Sequence, residues 1–150
     1  MSLSLSQKIN NLESAVTDLQ TKSYGIRYAL GGGVQSFSTN QTISFSEIEQ
    51  SVNIDTTSYA DGYKITHAGF YSIGYHLELY GDVNSQGGIV IERQSGFLYV
   101  SGPTDSIANN VSTIAYLNIG DEIRCRVWIG SLTMNQGYGR RMFWIHSIWK

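Results

Sequence analysis

The stretch that decides the fold is residues 69–79, which read GFYSIGYHLEL. From Tyr71 to Leu79 every second residue is a tyrosine, an isoleucine or a leucine, and the residues between them are small, polar or charged. Because successive side chains of a β-strand point to opposite faces of a sheet, this period of two predicts a long strand with one face in an apolar core.

The same period recurs along the chain from Tyr24 onward. It is clear at Ile123, Cys125, Val127 and Ile129, where the only cysteine is predicted to be a buried apolar residue. Further strands are predicted at residues 24–30, 42–45, 63–66, 88–92, 97–100, 111–117 and 141–149, with glycine-containing turns between them. Many short strands without a later helical pattern predict an all-β antiparallel jelly-roll sandwich over residues 24–150.

The first 23 residues follow a helical period instead. Their apolar residues are spaced 4, 3, 4, 3 among polar ones, which is the a/d pattern of a coiled-coil seam: Leu5, Ile9, Leu12, Val16 and Leu19. A helix this short is marginal alone in water, so residues 1–23 are predicted to form an oligomeric α-helical stalk. The alternative is a helix packed on its own head, which the narrow apolar stripe disfavours. Isoleucine or valine at a with leucine at d favours two strands, although the attached head could set another number.

Composition argues against several classes of partner. The formal net charge is −2 and only 15% of residues are charged, which gives no electrostatic basis for binding nucleic acid or anionic membranes. The one basic pair, Arg140 and Arg141, is interpreted as a solvated loop pair. No apolar stretch is long enough to span a membrane, and the N-terminus does not resemble a secretory signal. With one cysteine and no intrachain disulfide, the chain is expected to be made in a reducing cytoplasm.

The sequence contains no recognised arrangement of metal ligands. The three histidines, His67, His76 and His146, have no second histidine or cysteine at ligand spacing. Four loop aspartates offer oxygen atoms but do not alternate around a glycine as in a dedicated calcium loop: Asp55, Asp61, Asp82 and Asp105. Solvated turn residues are the favoured interpretation, and neither a metal nor a cofactor is predicted.

Catalytic motifs are also absent from the sequence. The three glycines at 31–33 lack the lysine and hydroxyl of a phosphate-binding loop, and no serine lies in a G-x-S-x-G motif. No spacing brings together two of the carboxylates that glycoside cleavage would need, which are Glu78, Glu92, Asp121 and Glu122. Asp121 follows Gly120 and is predicted to bond backbone groups of its turn. The chain is therefore predicted not to be an enzyme.

Two segments together resemble the complement globular heads and the wider tumour-necrosis-factor-like jelly-roll superfamily. Residues 69–73 are similar to that family's glycine–x–tyrosine–x–apolar strand. Residues 111–123 are similar to its serine-containing strand followed by leucine–x–x–glycine–aspartate–x–apolar. The C-terminal apolar strand lies in the corresponding place, but residues 143–146 lack the glycine that usually follows its aromatic residue. The resemblance covers about residues 24–150 and implies a head that forms homotrimers, often on a coiled-coil stalk.

The same architecture recurs in bacteriophage fibre heads, receptor-binding proteins and capsid spikes. A heptad stalk leading directly into a head with few charges and much serine, asparagine, glycine and tyrosine favours this branch. The resemblance then implies a virion-surface tail-fibre or spike head that binds a host-cell surface receptor such as a polysaccharide, with other virion proteins bound through the stalk. The alternatives are a structural capsid-decoration or adaptor protein, a cellular complement-like binding module and, last, a glycan-cleaving enzyme.

Candidate receptor-binding residues lie in or beside three turn-rich segments, residues 58–62, 81–87 and 135–139. Each combines a tyrosine, whose ring can stack on a sugar, with amides or carboxylates that select hydroxyl groups. The residues are Tyr59, Asp61, Tyr80, Asp82, Asn84, Asn135, Gln136 and Tyr138. The alternative is that these aromatic residues pack between protomers.

Overall fold

The computed structural model describes residues 2–20, 22–57, 61–80, 87–100, 108–137 and 139–149, without the side chains of residues 18–20, 108 and 149. Within these ranges the elements are α1 (Leu5–Gln20), β1 (Tyr24–Tyr28), β2 (Val34–Ser38), β3 (Glu47–Val52), β4 (Tyr63–Lys64), β5 (Gly69–Glu78), β6 (Gly88–Arg93), β7 (Gly96–Val100), β8 (Ala108–Leu117), β9 (Glu122–Ile129), β10 (Ser131–Asn135) and β11 (Arg141–Trp149).

The strands form antiparallel sheets around one core. A five-stranded sheet has the order β3-β1-β11-β5-β8, and a four-stranded sheet has the order β4-β9-β6-β7. Strands β10 and β2 pair separately, and a bridge between Leu79 and Met134 joins β10 to the end of β5. The buried side chains of both larger sheets belong to one cluster. This architecture confirms the predicted all-β jelly-roll sandwich after an N-terminal helix.

The alternating residues of β5 and β9 form the centre of that core. From Tyr71 to Leu77 the alternate side chains of β5 are at most 1% exposed, and Cys125 and Val127 meet them from β9 with no exposure. Each fully buried apolar side chain of this size contributes about 1.5–3 kcal/mol through the hydrophobic effect. Burial also raises the pKa of the Cys125 thiol well above its usual value, so it stays neutral and acts as the predicted apolar residue.

Three strands were not predicted, and one predicted strand is irregular. β2, β3 and β10 are missed because they are short or polar, and β3 is exposed along nearly its whole length. β3 has no buried face and lacks the apolar period of two, whereas β2 buries only Phe37 and β10 only Leu132 and Met134, which are too few for a clear period. The predicted strand at residues 42–45 forms no regular strand, although Ile43 donates its backbone N–H to the carbonyl of Cys125 at 2.9 Å.

Arg141 is buried, which contradicts its interpretation as half of a solvated pair. It opens β11 on the inward face and is 1% exposed, whereas Arg140 is exposed. Its Nη2 donates to Oε1 of Gln35 at 2.7 Å, and its guanidinium lies 5.2 Å from the ring centroid of Phe37. Burial lowers the pKa of Arg141 to about 10. The prediction was wrong because the strand's alternation, not the charge pair, decides where this side chain lies.

The turn before β9 is held as predicted. The backbone N–H of Asn118 donates to Oδ2 of Asp121 at 2.9 Å, and Gly120 has a φ of 90°, a conformation that favours glycine. The carboxylate of Asp121 therefore serves the turn between β8 and β9.

Helix α1 begins at a capping box. The Ser4 hydroxyl accepts the backbone N–H of Gln7 at 3.2 Å, and the Gln7 side chain accepts the N–H of Ser4 at 2.9 Å. The helix ends at Gln20, three residues before the predicted boundary of the stalk at residue 23. No helix among the described residues is both long and apolar enough to cross a bilayer.

The apolar stripe of α1 is exposed in the single chain. The exposed fractions are 75% for Leu5, 47% for Ile9, 65% for Leu12 and 44% for Val16, and the side chain of Leu19 lies outside the described residues. These side chains are not covered by the head of their own chain. The division into a stalk over residues 1–23 and a head over residues 24–150 stays a prediction.

Candidate binding surfaces

The directions of the strands define two ends of the head. The stalk end is where α1 leads into β1: Ser23 donates its N–H to Oγ of Ser147 at 2.9 Å and accepts the N–H of Ser147 at 2.7 Å. The far end lies at the other end of the same strands, where Arg141 pairs with Leu77 and β5 runs out toward Tyr80. A ligand that meets the head opposite its helix therefore meets the far end.

Three of the predicted binding residues lie at this far end. Tyr80 is 60% exposed, and its N–H donates to the carbonyl of Thr133 at 2.9 Å, which joins it to β10. Nδ2 of Asn135 donates to Oε1 of Glu78 at 2.9 Å. The N–H of Gln136 donates to the carbonyl of Gly33 at 2.9 Å. The structure therefore brings Tyr80, Asn135 and Gln136 to one end of the head.

Asp61 has a structural contact that the sequence did not predict. It adopts a φ of 60°, and its Oδ1 accepts the backbone N–H of Phe45 at 2.9 Å and the hydroxyl of Ser44 at 3.3 Å. This carboxylate holds the irregular segment at residues 44–45 against the turn before β4. The four other predicted residues, Tyr59, Asp82, Asn84 and Tyr138, lie outside the described residues.

The outer face of the five-stranded sheet carries exposed apolar side chains. We define the outer sheet face by Tyr24, Phe70, Ile114, Tyr116 and Trp144, which alternate with core residues along β1, β5, β8 and β11. Phe70 and Tyr116 are cross-strand partners whose ring centroids lie 5.2 Å apart in an edge-to-face contact. They are 46% and 49% exposed, and Ile114 is 66% exposed. Several exposed apolar side chains on one sheet face mark a candidate interaction surface.

Sequence reasoning missed this face although a signal for it exists. In β8, Ile114 and Tyr116 alternate with Ala115 and Leu117, so apolar residues occur on both faces of the strand. An antiparallel strand with one solvated face normally alternates apolar with polar residues. Apolar residues on both faces of β8 are therefore the sequence signal for an interaction surface on its outer side.

The four-stranded sheet carries a charged cluster on its outer face. Oε1 of Glu92 accepts Nε–H of Arg124 and of Arg126, each at 2.8 Å, and Oε2 accepts Nη2–H of Arg126 at 2.8 Å. These hydrogen bonds, led by those of Arg126, hold the pKa of the Glu92 carboxyl below its usual value even though burial opposes them. Glu92 is only 6% exposed, and its pairing with the two arginines favours the charged carboxylate within the sheet.

The described residues contain no group of three or more side chains of the types that hold metals. Among the loop aspartates, Oδ1 of Asp55 accepts the N–H and hydroxyl of Thr57, at 2.8 and 3.1 Å. Asp82 and Asp105 lie outside the described residues.

The strand order and the packing of the two larger sheets give the chain a tumour-necrosis-factor-like jelly-roll fold. No protein-family model and no curated protein matches the sequence. Solved structures with the same fold include Eiger TNF from S. frugiperda, with a TM-score of 0.69 and 11% identity over 85% of this chain and 93% of that one. Murine APRIL has a TM-score of 0.63 and 10% identity over 85% and 99% of the two chains.

A viral protein also shares this fold. The vertex protein P5 of PRD1 has a TM-score of 0.55 and 12% identity over 85% of this chain and 97% of that one. At such identities the likeness extends to the fold alone, and it confirms the fold that the resemblance to the tumour-necrosis-factor-like superfamily implied.

Proposed function

We propose that this chain is the head and stalk of a non-enzymatic homotrimeric virion fibre or spike protein that binds a host-cell surface. The proposal joins three features: an apolar outer sheet face, an exposed heptad stripe, and aromatic and polar residues at the end away from the helix. The occurrence of the same fold in a vertex protein of PRD1 supports a role on a virion.

The outer sheet face carries the homotrimer part of the proposal. Burying Phe70, Ile114 and Tyr116 against other copies of the chain removes from water three side chains that are about half exposed or more. The face contains few charges, so its burial requires little desolvation of ionised groups. A second copy of the chain is its proposed partner, because the exposed stripe of α1 needs the same kind of partner.

The apolar stripe of helix α1 is a second feature that supports a homotrimer. Leu5, Ile9, Leu12 and Val16 lie on one stripe and are exposed in the single chain. In a bundle of identical helices they form the seam, and Leu19 continues their spacing. The bundle directs the stalk end of each head toward the particle, where other virion proteins bind it.

The far end is then the part of the head that faces a cell. Tyr80 provides an exposed ring, and Asn135 and Gln136 provide amides on a rigid neighbouring strand and turn. Tyr59, Asp61, Asp82, Asn84 and Tyr138 remain proposed members of the same receptor surface. Three weak sites on one trimer gain affinity by avidity.

The test is binding of the purified trimer to a glycan array and to a panel of bacterial cells. We expect at least one of the variants Tyr59→Ala, Tyr80→Ala and Tyr138→Ala to lose binding while its trimer mass and melting temperature stay unchanged. Ile119→Ala is the matched control, because Ile119 is 71% exposed in the turn at the stalk end. If the unmutated trimer binds no cell and no glycan, a structural capsid-decoration or adaptor role replaces this proposal.

A further inference from the structure

A polar cleft of about 420 Å³ opens on the outer face of the four-stranded sheet. Glu92, Arg124 and Arg126 line it together with Phe97, Asn40 and the β6–β7 turn. Clefts that hold small ligands have volumes of about 300–1,000 Å³. The cleft lies on the sheet opposite the outer sheet face, so assembly through that face leaves it in contact with solvent.

The strand register brings the key side chains into one row. Glu92 of β6 pairs with Phe97 of β7 on one side and with Arg124 of β9 on the other. Arg126 follows on the same face of β9, two residues beyond Arg124. The row is therefore part of the rigid sheet, and a ligand would find these groups already oriented.

The charges in the row do not cancel. One carboxylate, Glu92, serves two guanidinium groups, which leaves one positive charge in excess. Arg93 also lines the cleft, but its Nη1 lies 3.7 Å from Oδ2 of Asp121. The excess charge favours an anionic ligand.

Arg124 presents the donors that such a ligand needs. Glu92 holds its Nε, and its Nη1 makes a long contact of 3.4 Å with Oγ1 of Thr42. Among the described residues no hydrogen bond uses Nη2 of Arg124, and the side chain is 38% exposed. A guanidinium with this geometry binds a carboxylate through two parallel N–H···O bonds.

Phe97 and Asn40 add an exposed aromatic ring and an amide donor to the positive charge of the cleft. Phe97 is 55% exposed, and the guanidinium of Arg126 lies 5.8 Å from its ring centroid. Nη1 of Arg126 donates to Oδ1 of Asn40 at 2.7 Å, which leaves the Asn40 amide NH₂ as a hydrogen-bond donor. An exposed ring beside amide donors suits a pyranose, which has an apolar C–H face and a rim of hydroxyl groups.

We propose that this cleft binds an acidic sugar unit of a surface polysaccharide, with its carboxylate on Arg124 and its ring face on Phe97. The inference rests on the proposed function as a surface-binding head; it names the ligand class and adds a site on the side of the head to those at the far end. An acidic peptide would satisfy Arg124 equally well, but it would make no use of the ring and amide together.

The test measures binding of methyl β-D-glucuronide to the full-length protein by saturation-transfer NMR and calorimetric titration. Methyl β-D-glucoside is the neutral counterpart. We expect the glucuronide to bind with millimolar affinity, at least about tenfold more tightly than the glucoside, and more weakly as salt is raised. Equal affinities, or no binding of the glucuronide at tens of millimolar, would overturn the inference.

Variants locate the ligand. Arg124→Gln is expected to reduce glucuronide affinity about tenfold or more, while Arg126 still pairs with Glu92. Phe97→Ala leaves the Glu92 cluster intact and is expected to reduce affinity about fivefold or more. Arg140→Gln is the control, since Arg140 is exposed at the far end. If the Arg124 and Phe97 variants both keep the glucuronide affinity and the melting temperature of the unmutated protein, the sugar binds elsewhere and the proposal is wrong.

Two further measurements separate this inference from the proposed function. If the protein binds cells and Arg124→Gln binds them equally well, the cleft is not the receptor site and the virion-head function stands. If the cleft binds the glucuronide but the trimer binds no cell or polysaccharide, the ligand class stands and the proposed function fails. Arg124-dependent binding of an aspartate-rich hexapeptide without glucuronide binding would replace the sugar by an acidic peptide.

Discussion

The indole of Trp144 lies against Gly74, its partner on the neighbouring strand β5. A Cβ atom on Gly74 would lie 2.3 Å from Cζ2 of that indole and 2.4 Å from the carbonyl oxygen of Val111. Both distances are far below contact distance, so only a glycine allows this approach. Trp144 and Gly74 therefore shape the outer sheet face at the middle of β5, where the indole packs closely over the glycine.

Gly74→Ala is therefore expected to destabilise the head. The added methyl group meets a ring and a backbone oxygen that cannot both move away, which costs about 1–3 kcal/mol in the free energy of unfolding. Gly32→Ala is the matched control, because a Cβ there has nothing within 4 Å and its φ is not in the left-handed region. Denaturant unfolding measures both, and equal stability of the two variants would contradict the close approach of Trp144.

Charges on the outer sheet face are expected to prevent assembly. Phe70→Glu and Tyr116→Glu place a carboxylate where the proposed trimer buries an aromatic ring, and an unpaired charge there is strongly unfavourable. Light scattering should give three times the 16.7 kDa chain mass for the unmutated protein and a lower mass for the variants.

The control for that experiment is Ile119→Glu, which changes an exposed residue in a turn at the stalk end. Its mass should equal that of the unmutated protein. If the unmutated protein is a monomer, both the oligomeric stalk and the trimer through the outer sheet face are contradicted. If it is a dimer, only the trimer through the outer sheet face is contradicted.

The seam of the stalk is tested by Ile9→Asp with Leu12→Asp. Charges at these a and d positions cannot be buried unpaired, so we expect weaker trimers and a folded head. Asn10→Asp with Asn11→Asp adds the same charges at polar positions and should leave the mass unchanged. Mass and circular dichroism check the pair of variants; complete unfolding of the head would indicate that α1 packs on its own chain.

Glu92→Gln is expected to change how stability depends on pH. The native pKa of Glu92 is lowered, so the folded state binds fewer protons than the unfolded chain near the unfolded pKa of about 4.3. The contribution of Glu92 is therefore complete above that pH and is lost as the pH falls toward the lower native value. We expect the variant to be less stable at neutral pH by about 1–3 kcal/mol and to lose less stability on acidification.

Glu122→Gln is the control for this pH dependence. Oε1 of Glu122 lies 4.0 Å from Nζ of Lys64, and both side chains are about a third exposed or more. An exposed ion pair of this kind contributes little to the free energy of unfolding. Chemical unfolding at several pH values between about 7 and 3 compares the variants with the unmutated chain. Equal pH dependence of stability for Glu92→Gln and the unmutated protein would contradict a lowered native pKa of Glu92, and coincident curves would show that its ion pairs add no stability.

Much of the fold could be predicted because alternation is a local property. The inward positions of β5 from Tyr71 to Leu77 and of β9 at Cys125 follow from a period of two, and burial of these residues confirms them. Strands such as β3 could not be predicted, since exposed polar strands are held by backbone pairing that leaves no apolar pattern. The same local alternation, applied to β11, would have placed Arg141 inside instead of in a solvated pair.

The sequence by itself determined which residues share a face of a strand, because that depends only on their spacing along one strand. The spacing therefore predicted the all-β core and placed Arg124 and Arg126 on the same face of β9. Only the tertiary structure decided that Glu92, 32 residues before Arg124, lies between them and Phe97, and that Tyr80 and Asn135 meet at one end. These meetings depend on which strands are neighbours and in what register, and pairing between distant segments is set by the packing of the whole core rather than by any local pattern.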